Sequence, residues 1–316
     1  MANSSGALEP QAAFDTQPEI FQGQPCQRLT LPSGDSVLVA LQGAHVLSWV
    51  AQGRERLFLS ERNVWDGQAA IRGGVPVCFP QFNQRGDLPK HGFARNVAWQ
   101  LVTGQEGGNF VDAAHEHAKQ ELVAANTRDN NIASGAHMRF QLQANAQTLA
   151  LWPQNFVATL QVSLNPNQLQ ITLQVQNTDT HPLLFTGALH TYFAVQHIAN
   201  TQLTGLQGQA EWNAVTDQHS TANEVLRFDG EFDRVYQAAA HALQLQDAQG
   251  TLQIEQSPSW GQSVVWNPGA TKCATLSDMP PDGYQHMLCV EAAQVYEPIR
   301  VAPSQTWQGW QRLSLV

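Results

Sequence analysis

The sequence predicts an all-β protein, folded as one large antiparallel β-sandwich. Three observations predict it. Apolar residues recur at every second position over long stretches, the period of strands with one wet face. Polar turn signals separate these stretches at short intervals. Helix-like composition is confined to residues 112–147, which are rich in Ala, Gln, His and Asn. Strands in such number with so few helices build sandwiches.

Taken in order, residues 1–25 are polar and irregular and read as a loose N-terminal arm. Residues 26–316 then form a single domain, because no linker divides them. Val37–Leu41 and Val46–Val50 are short apolar runs joined by Gln42-Gly43, a hairpin signal. Ala158–Leu164 alternates, as do Leu169, Ile171, Leu173 and Val175, with the turn Asn165-Pro166-Asn167 between them. Leu243–Gln246 and Thr251–Glu255 flank Asp247–Gly250 as another hairpin. Val264–Trp266, Met287–Glu291 and Trp307–Val316 supply further strands. Within the 112–147 segment, Ala113–Ala124 suits a helix and Asn126–Ala136 an exposed loop, so the segment is expected to be a polar insertion.

Bulk properties narrow the function. The formal net charge is −10, which argues against nucleic acid, since phosphates call for clustered Lys and Arg. No apolar run approaches the roughly 20 residues of a membrane span. The first residues lack the basic and apolar regions of a signal peptide, so a cytoplasmic location is expected. Cys26, Cys78, Cys273 and Cys289 form no C-x-x-C pair and read as reduced, small core residues. The chain is expected to be a monomer with no cofactor or metal.

Basic residues are few, so their placement matters. Of 16 Lys and Arg, seven fall between positions 54 and 95: Arg54, Arg56, Arg62, Arg72, Arg85, Lys90 and Arg95. A small anion would explain that cluster; a solvated loop with scattered charges would explain it as well.

Four segments carry candidate chemistry. Ile71–Phe82, continuing to Leu88–Arg95, combines glycine and proline with Arg, Lys, His and Gln, as a rigid ligand-binding loop does. It matches neither a P-loop nor a dinucleotide fingerprint, and a structural loop with a buried arginine fits it too. Phe185–Phe193 places His190 in an aromatic run, where a histidine is more often a satisfied core residue than a catalyst. Met287–Ala293 places Glu291 in an apolar strand, where a carboxylate must be paired or functional. Its partner there could be an arginine of the first segment. Asp233–Tyr236 could meet sugar hydroxyls or cap a turn.

Together the strings IRGGVPVCFPQF, LPKHGFAR, WPQNF, LHTYFAV, DRVY, WNPG and LCVEAA resemble the aldose 1-epimerase superfamily, in its hexose-6-phosphate mutarotase branch. They run in the family's order from about residue 30 to the end. The resemblance implies a galactose mutarotase-like supersandwich, and interconversion of the α and β anomers of a hexose 6-phosphate without a cofactor. It implies His190 as general acid and Glu291 as general base. It implies Arg72, His91, Arg95 and Asp233 as substrate-binding residues, with a sugar phosphate as the ligand; Lys90, which departs from the family string, is expected to add a cation near the phosphate. Lys90 stands where relatives often carry Gln.

Ring opening needs a base for the proton of the C1 hydroxyl and an acid for the ring oxygen. A carboxylate and an imidazole, with ordinary pKa values near about 4.3 and 6.5, can serve at neutral pH. Phe82, Tyr192 and Trp266 are candidate walls for the apolar sugar face, and equally core residues. Competing readings are a mutarotase for free aldoses, a carbohydrate-binding sandwich without catalysis, and a glycosidase using Asp233 with Glu291. The last leaves His190 without a task.

Overall fold

The computed structural model describes residues 15–103 and 136–316. Among them, strands form three antiparallel sheets. The first is a five-stranded meander in chain order: Asp15–Phe21, Gln24–Thr30, Ser36–Ala40, His45–Ala51 and Arg54–Glu55. The second has eight strands. Thr306–Leu315 lies near its middle, between Gly250–Gln256 and Gln168–Asn177. The third also has eight. Its centre is the 15-residue strand Met287–Val301, flanked by Gln262–Asn267 and Leu183–Leu189, with short Tyr192–Ala194 pairing alongside.

The main core fills the space between these sheets. Leu160, Ile171, Leu173 and Leu313 from the second meet Phe185, Leu189, Val290 and Ala292 from the third. Alternation then decides which side chains face away from that core. Val290 and Ala292 point inward, so Glu291 and Ala293 point to the opposite face, where Ala293 packs with Cys78, Phe82, Val235 and Val264. The hairpins expected over 36–51, 156–177 and 243–256 are all present. All four cysteines are free and buried.

Two boundaries differ from expectation. Asp15–Phe21, expected as irregular arm, is an edge strand paired with Gln24–Thr30. It is mostly exposed and contains Pro18, and an edge strand with a wet face carries no apolar alternation to betray it. Ala136–Gln143, assigned to a polar insertion, is a strand of the second sheet, with Ala136, Met138, Phe140 and Leu142 buried in alternation. A short helix follows, Ala146–Leu151, closed by a reciprocal cap between Asn145 and Thr148. The expected helix over 113–124 lies outside the described residues. Among the described residues no helix is long and apolar enough to cross a membrane.

Candidate functional site

The third sheet's outer face is the floor of a cleft. His190 occupies a two-residue break between the strands Leu183–Leu189 and Tyr192–Ala194, both of which pair with Met287–Val301. That break brings the imidazole beside the next strand. His190 Nδ1 lies 3.4 Å from Glu291 Oε1, with side-chain exposures of 8% and 2%. The contact is longer than an ordinary hydrogen bond. Burial pushes Glu291 well above the usual carboxylate range, reinforced by Asp233 and opposed by Lys90 and Arg95. Burial likewise pushes His190 well below the usual imidazole range.

The ring of His190 is held from three sides. Tyr192 stacks on it with centroids 4.7 Å apart and planes 7° apart, while Trp266 and His91 approach edge-on at 6.2 and 5.4 Å. His91 Nδ1 accepts from the backbone N–H of Asn83 at 3.2 Å. Burial keeps that ring neutral, so its proton sits on Nε2 and is available to a ligand. His91 also holds a backbone φ of +67°, a region that non-glycine residues seldom enter.

The wall above comes from the Ile71–Arg95 loop. Its course depends on close approaches that only glycine permits. A Cβ on Gly74 would stand 2.1 Å from the carbonyl of Val46, and one on Gly92 2.2 Å from that of Phe79. Buried Gln81 templates the part that follows. Its amide donates to the carbonyls of Asn83 (2.9 Å) and Leu88 (3.0 Å) and accepts from the Leu88 N–H (3.0 Å). Lys90 then lies at the rim, where burial and the neighbouring Arg72, Arg95 and Lys272 push its ammonium below the usual lysine range. Arg95 donates to the Lys90 carbonyl at 2.8 Å.

Arg72 is engaged more fully than the sequence suggests. Nε and Nη2 donate to Asp278 at 3.0–3.2 Å, and Nη1 donates to the Tyr192 hydroxyl at 3.1 Å. Glu291 is therefore not the partner of an arginine; Asp278 takes that place for Arg72, and His190 is the neighbour of Glu291. Asp233 sits in the strand Phe232–Gln237 and not in a turn. It faces the cleft with Val235, and burial raises its carboxyl against the pull of Lys272 and Lys90. Tyr236, one step further, faces the core between the sheets and cannot share a ligand with Asp233.

All seven residues singled out in the sequence, Arg72, Lys90, His91, Arg95, His190, Asp233 and Glu291, line this one cleft, together with Phe82, Tyr192 and Trp266. Arg85 of the basic cluster lines it as well, and sequence reading missed Lys272, Asp278 and Trp212, which line it too. Lys272 had a legible signal, being one of only three lysines (with Lys90 and Lys119) and standing three positions past the end of the WNPG string. Asp278 had none, since nothing marks an aspartate in a polar turn as the partner of an arginine 206 positions away.

Among the described residues, eight buried side-chain polar atoms lack a hydrogen-bond partner, and three of them (Arg95 Nε, His190 Nδ1 and Glu291 Oε2) belong to this cleft. Buried polar groups are ordinarily satisfied, so the concentration here marks a surface made for a polar ligand.

The family model for aldose 1-epimerase matches residues 25–314. The chain belongs to the aldose 1-epimerase family. Within it, a protein of Cenchrus ciliaris named as a candidate glucose-6-phosphate 1-epimerase is 32% identical over 285 residues, covering 88% of this chain and 80% of its own. A protein of Escherichia coli K12 with the same name is 32% identical over 274 residues, covering 83% and 81%. Among solved structures, a candidate mutarotase of Salmonella typhimurium superposes with a TM-score of 0.76 at 26% identity, covering 96% of this chain and 97% of its own. A galactose mutarotase-like protein of Clostridium acetobutylicum shares the fold, with a TM-score of 0.67 at 13% identity over 96% and 98%. The supersandwich of this aldose 1-epimerase family member is thus the one its sequence predicts.

Proposed function

We propose that the chain interconverts the α and β anomers of a hexose 6-phosphate, glucose 6-phosphate foremost, by acid–base opening and reclosure of the pyranose ring. The observation that carries this reading is the His190–Glu291 pair on the floor of a cleft rimmed by Lys90, Arg95 and Lys272. Glu291 takes the proton of the C1 hydroxyl while His190 gives one to the ring oxygen, and the C1–O5 bond breaks. Rotation about C1–C2 presents the other face of the aldehyde. Reclosure returns both protons, so the balance needs no cofactor.

The pair must hold one proton between two sites. Burial favours the uncharged arrangement; Lys90 and Arg95 favour the carboxylate, and the 3.4 Å contact makes the charged arrangement an ion pair. His91 Nε2–H and Asp233 offer hydrogen bonds to hydroxyls. The cations would hold the phosphate, and binding energy gained there would orient C1 over the pair. The names of the 32%-identical relatives support the phosphorylated substrate.

A second reading, a mutarotase for free aldoses, is favoured by Asp278, whose carboxylate occupies the fork of Arg72 and leaves it poorly placed to grip a dianion. Exchange spectroscopy between anomers tests both. Exchange of glucose 6-phosphate accelerated well beyond buffer, and well beyond glucose at equal enzyme, is the expected result. Equal acceleration of both sugars would establish the second reading, and no acceleration of either would refute both.

A further inference from the structure

Opposite the cleft, the same two strands are tied from below. The strand Thr306–Leu315 of the second sheet turns Gly309, Gln311 and Leu313 toward the sandwich interior. Gln311 is fully buried in a row where apolar residues are the rule. An amide there is costly unless both ends are bonded. Its Oε1 accepts from Thr191 Oγ1 at 2.5 Å and its Nε2 donates to the Val290 carbonyl at 3.0 Å. Thr191 is fully buried as well, and its carbonyl accepts from the Val290 N–H at 3.1 Å.

These bonds close a ring through Thr191, Gln311 and Val290. Thr191 follows His190 in the chain, and Val290 precedes Glu291. The ladder between the strands is regular at Leu189 with Ala292 and at Tyr192 with Cys289, but it breaks between them, where His190 and Thr191 oppose Val290 and Glu291. Gln311 reaches across from the other sheet and bonds into that gap.

We propose that Gln311, through Thr191, is a positioning residue that sets the separation of His190 and Glu291. This rests on the acid–base reading above. The test compares Gln311→Met, Thr191→Val and the double variant, with Thr191→Ser as the conservative control. A misplacement of about 1 Å can cost about 10²-fold in rate. The expected result is a kcat for anomer exchange lowered about 10- to 100-fold in each single variant, with KM within twofold. The double variant should be no worse than either single, and Thr191→Ser should keep wild-type kcat. Folded variants with kcat within twofold of wild type would overturn the proposal, as would losses that multiply in the double variant. A purely structural role would lower Tm and leave kcat untouched. Should Gln311→Met fail to fold, Thr191→Val alone decides, since it removes one hydroxyl at constant shape.

An inactive wild-type protein would sink the acid–base reading and not this one. The imidazole ¹⁵N shifts of His190 in the ligand-free protein then decide. They are expected to move in Thr191→Val, and unchanged shifts would overturn the role of Gln311.

Discussion

Nδ1 of His190 and Oε1 of Glu291 lie 3.4 Å apart, and neither side chain is more than a tenth exposed. In water, an imidazole and a carboxylate share a single proton only between their ordinary pKa values, about 4.3 and 6.5. Burial lowers His190 and raises Glu291, so it penalises the doubly protonated state at low pH and the proton-free state at high pH. The one-proton state is widened at both ends. We therefore expect kcat to stay level through neutrality, with its alkaline limb well above about pH 6.5. A profile falling with a midpoint near that value would contradict the pairing; the pH dependence of anomer exchange reads it directly.

Glu291→Gln removes the proposed base while preserving shape. Exchange should fall at least about 10²-fold, the usual contribution of a positioned acid or base. Binding of the sugar phosphate, followed by calorimetry, should survive. An unchanged exchange rate would exclude Glu291 as the base.

Asp278→Ala leaves Arg72 bonded only through Tyr192. The guanidinium loses its bidentate anchor, and its position over the Trp266 ring, 5.9 Å away, is no longer fixed. We expect KM to rise about tenfold with a smaller change in kcat. A lower KM would instead show that Asp278 restrains Arg72 from the substrate.

Lys90→Gln removes the rim cation and keeps a polar side chain of similar reach. Lys90 is an exposed rim cation, and its loss should raise KM for glucose 6-phosphate only a few-fold, less at high salt. KM for glucose should not move. A loss of kcat would place Lys90 nearer to the reacting atoms than its exposure suggests.

Gly74→Ala forces a Cβ to within 2.1 Å of a backbone carbonyl at a positive φ of 60°. Two unfavourable effects coincide there, and a cost of at least about 3 kcal/mol is expected in denaturant unfolding. A change under about 1 kcal/mol would mean that the loop can move aside.

Much of the fold is legible in the amino-acid sequence alone. Alternation marks the central strands because each has one face on the core, as Leu169 to Val175 does. The same rule holds at Ala136–Gln143, where Ala, Met, Phe and Leu alternate, but the polar composition around it hides the pattern. Asp15–Phe21 is illegible, since a strand whose side chains meet water on both faces has no reason to alternate. In the site, the family strings lead to both members of the His190–Glu291 pair. They do not reveal Asp278, whose pairing with Arg72 arises from tertiary packing, or Gln311, an outlier only once its burial is known.

His190 lies in a two-residue break between strands that both pair with the strand carrying Glu291, whereas Arg72, Lys90, Arg95 and Lys272 all sit on loops, turns or short helices. The proposed proton transfer and the proposed phosphate recognition are thereby mounted on separate mechanical parts. Such a scaffold is open to retargeting: exchanging the 84–89 segment, which leaves Lys90, His91 and Arg95 in place, for one of different charge and reach would present other sugars to the proposed proton-transfer pair.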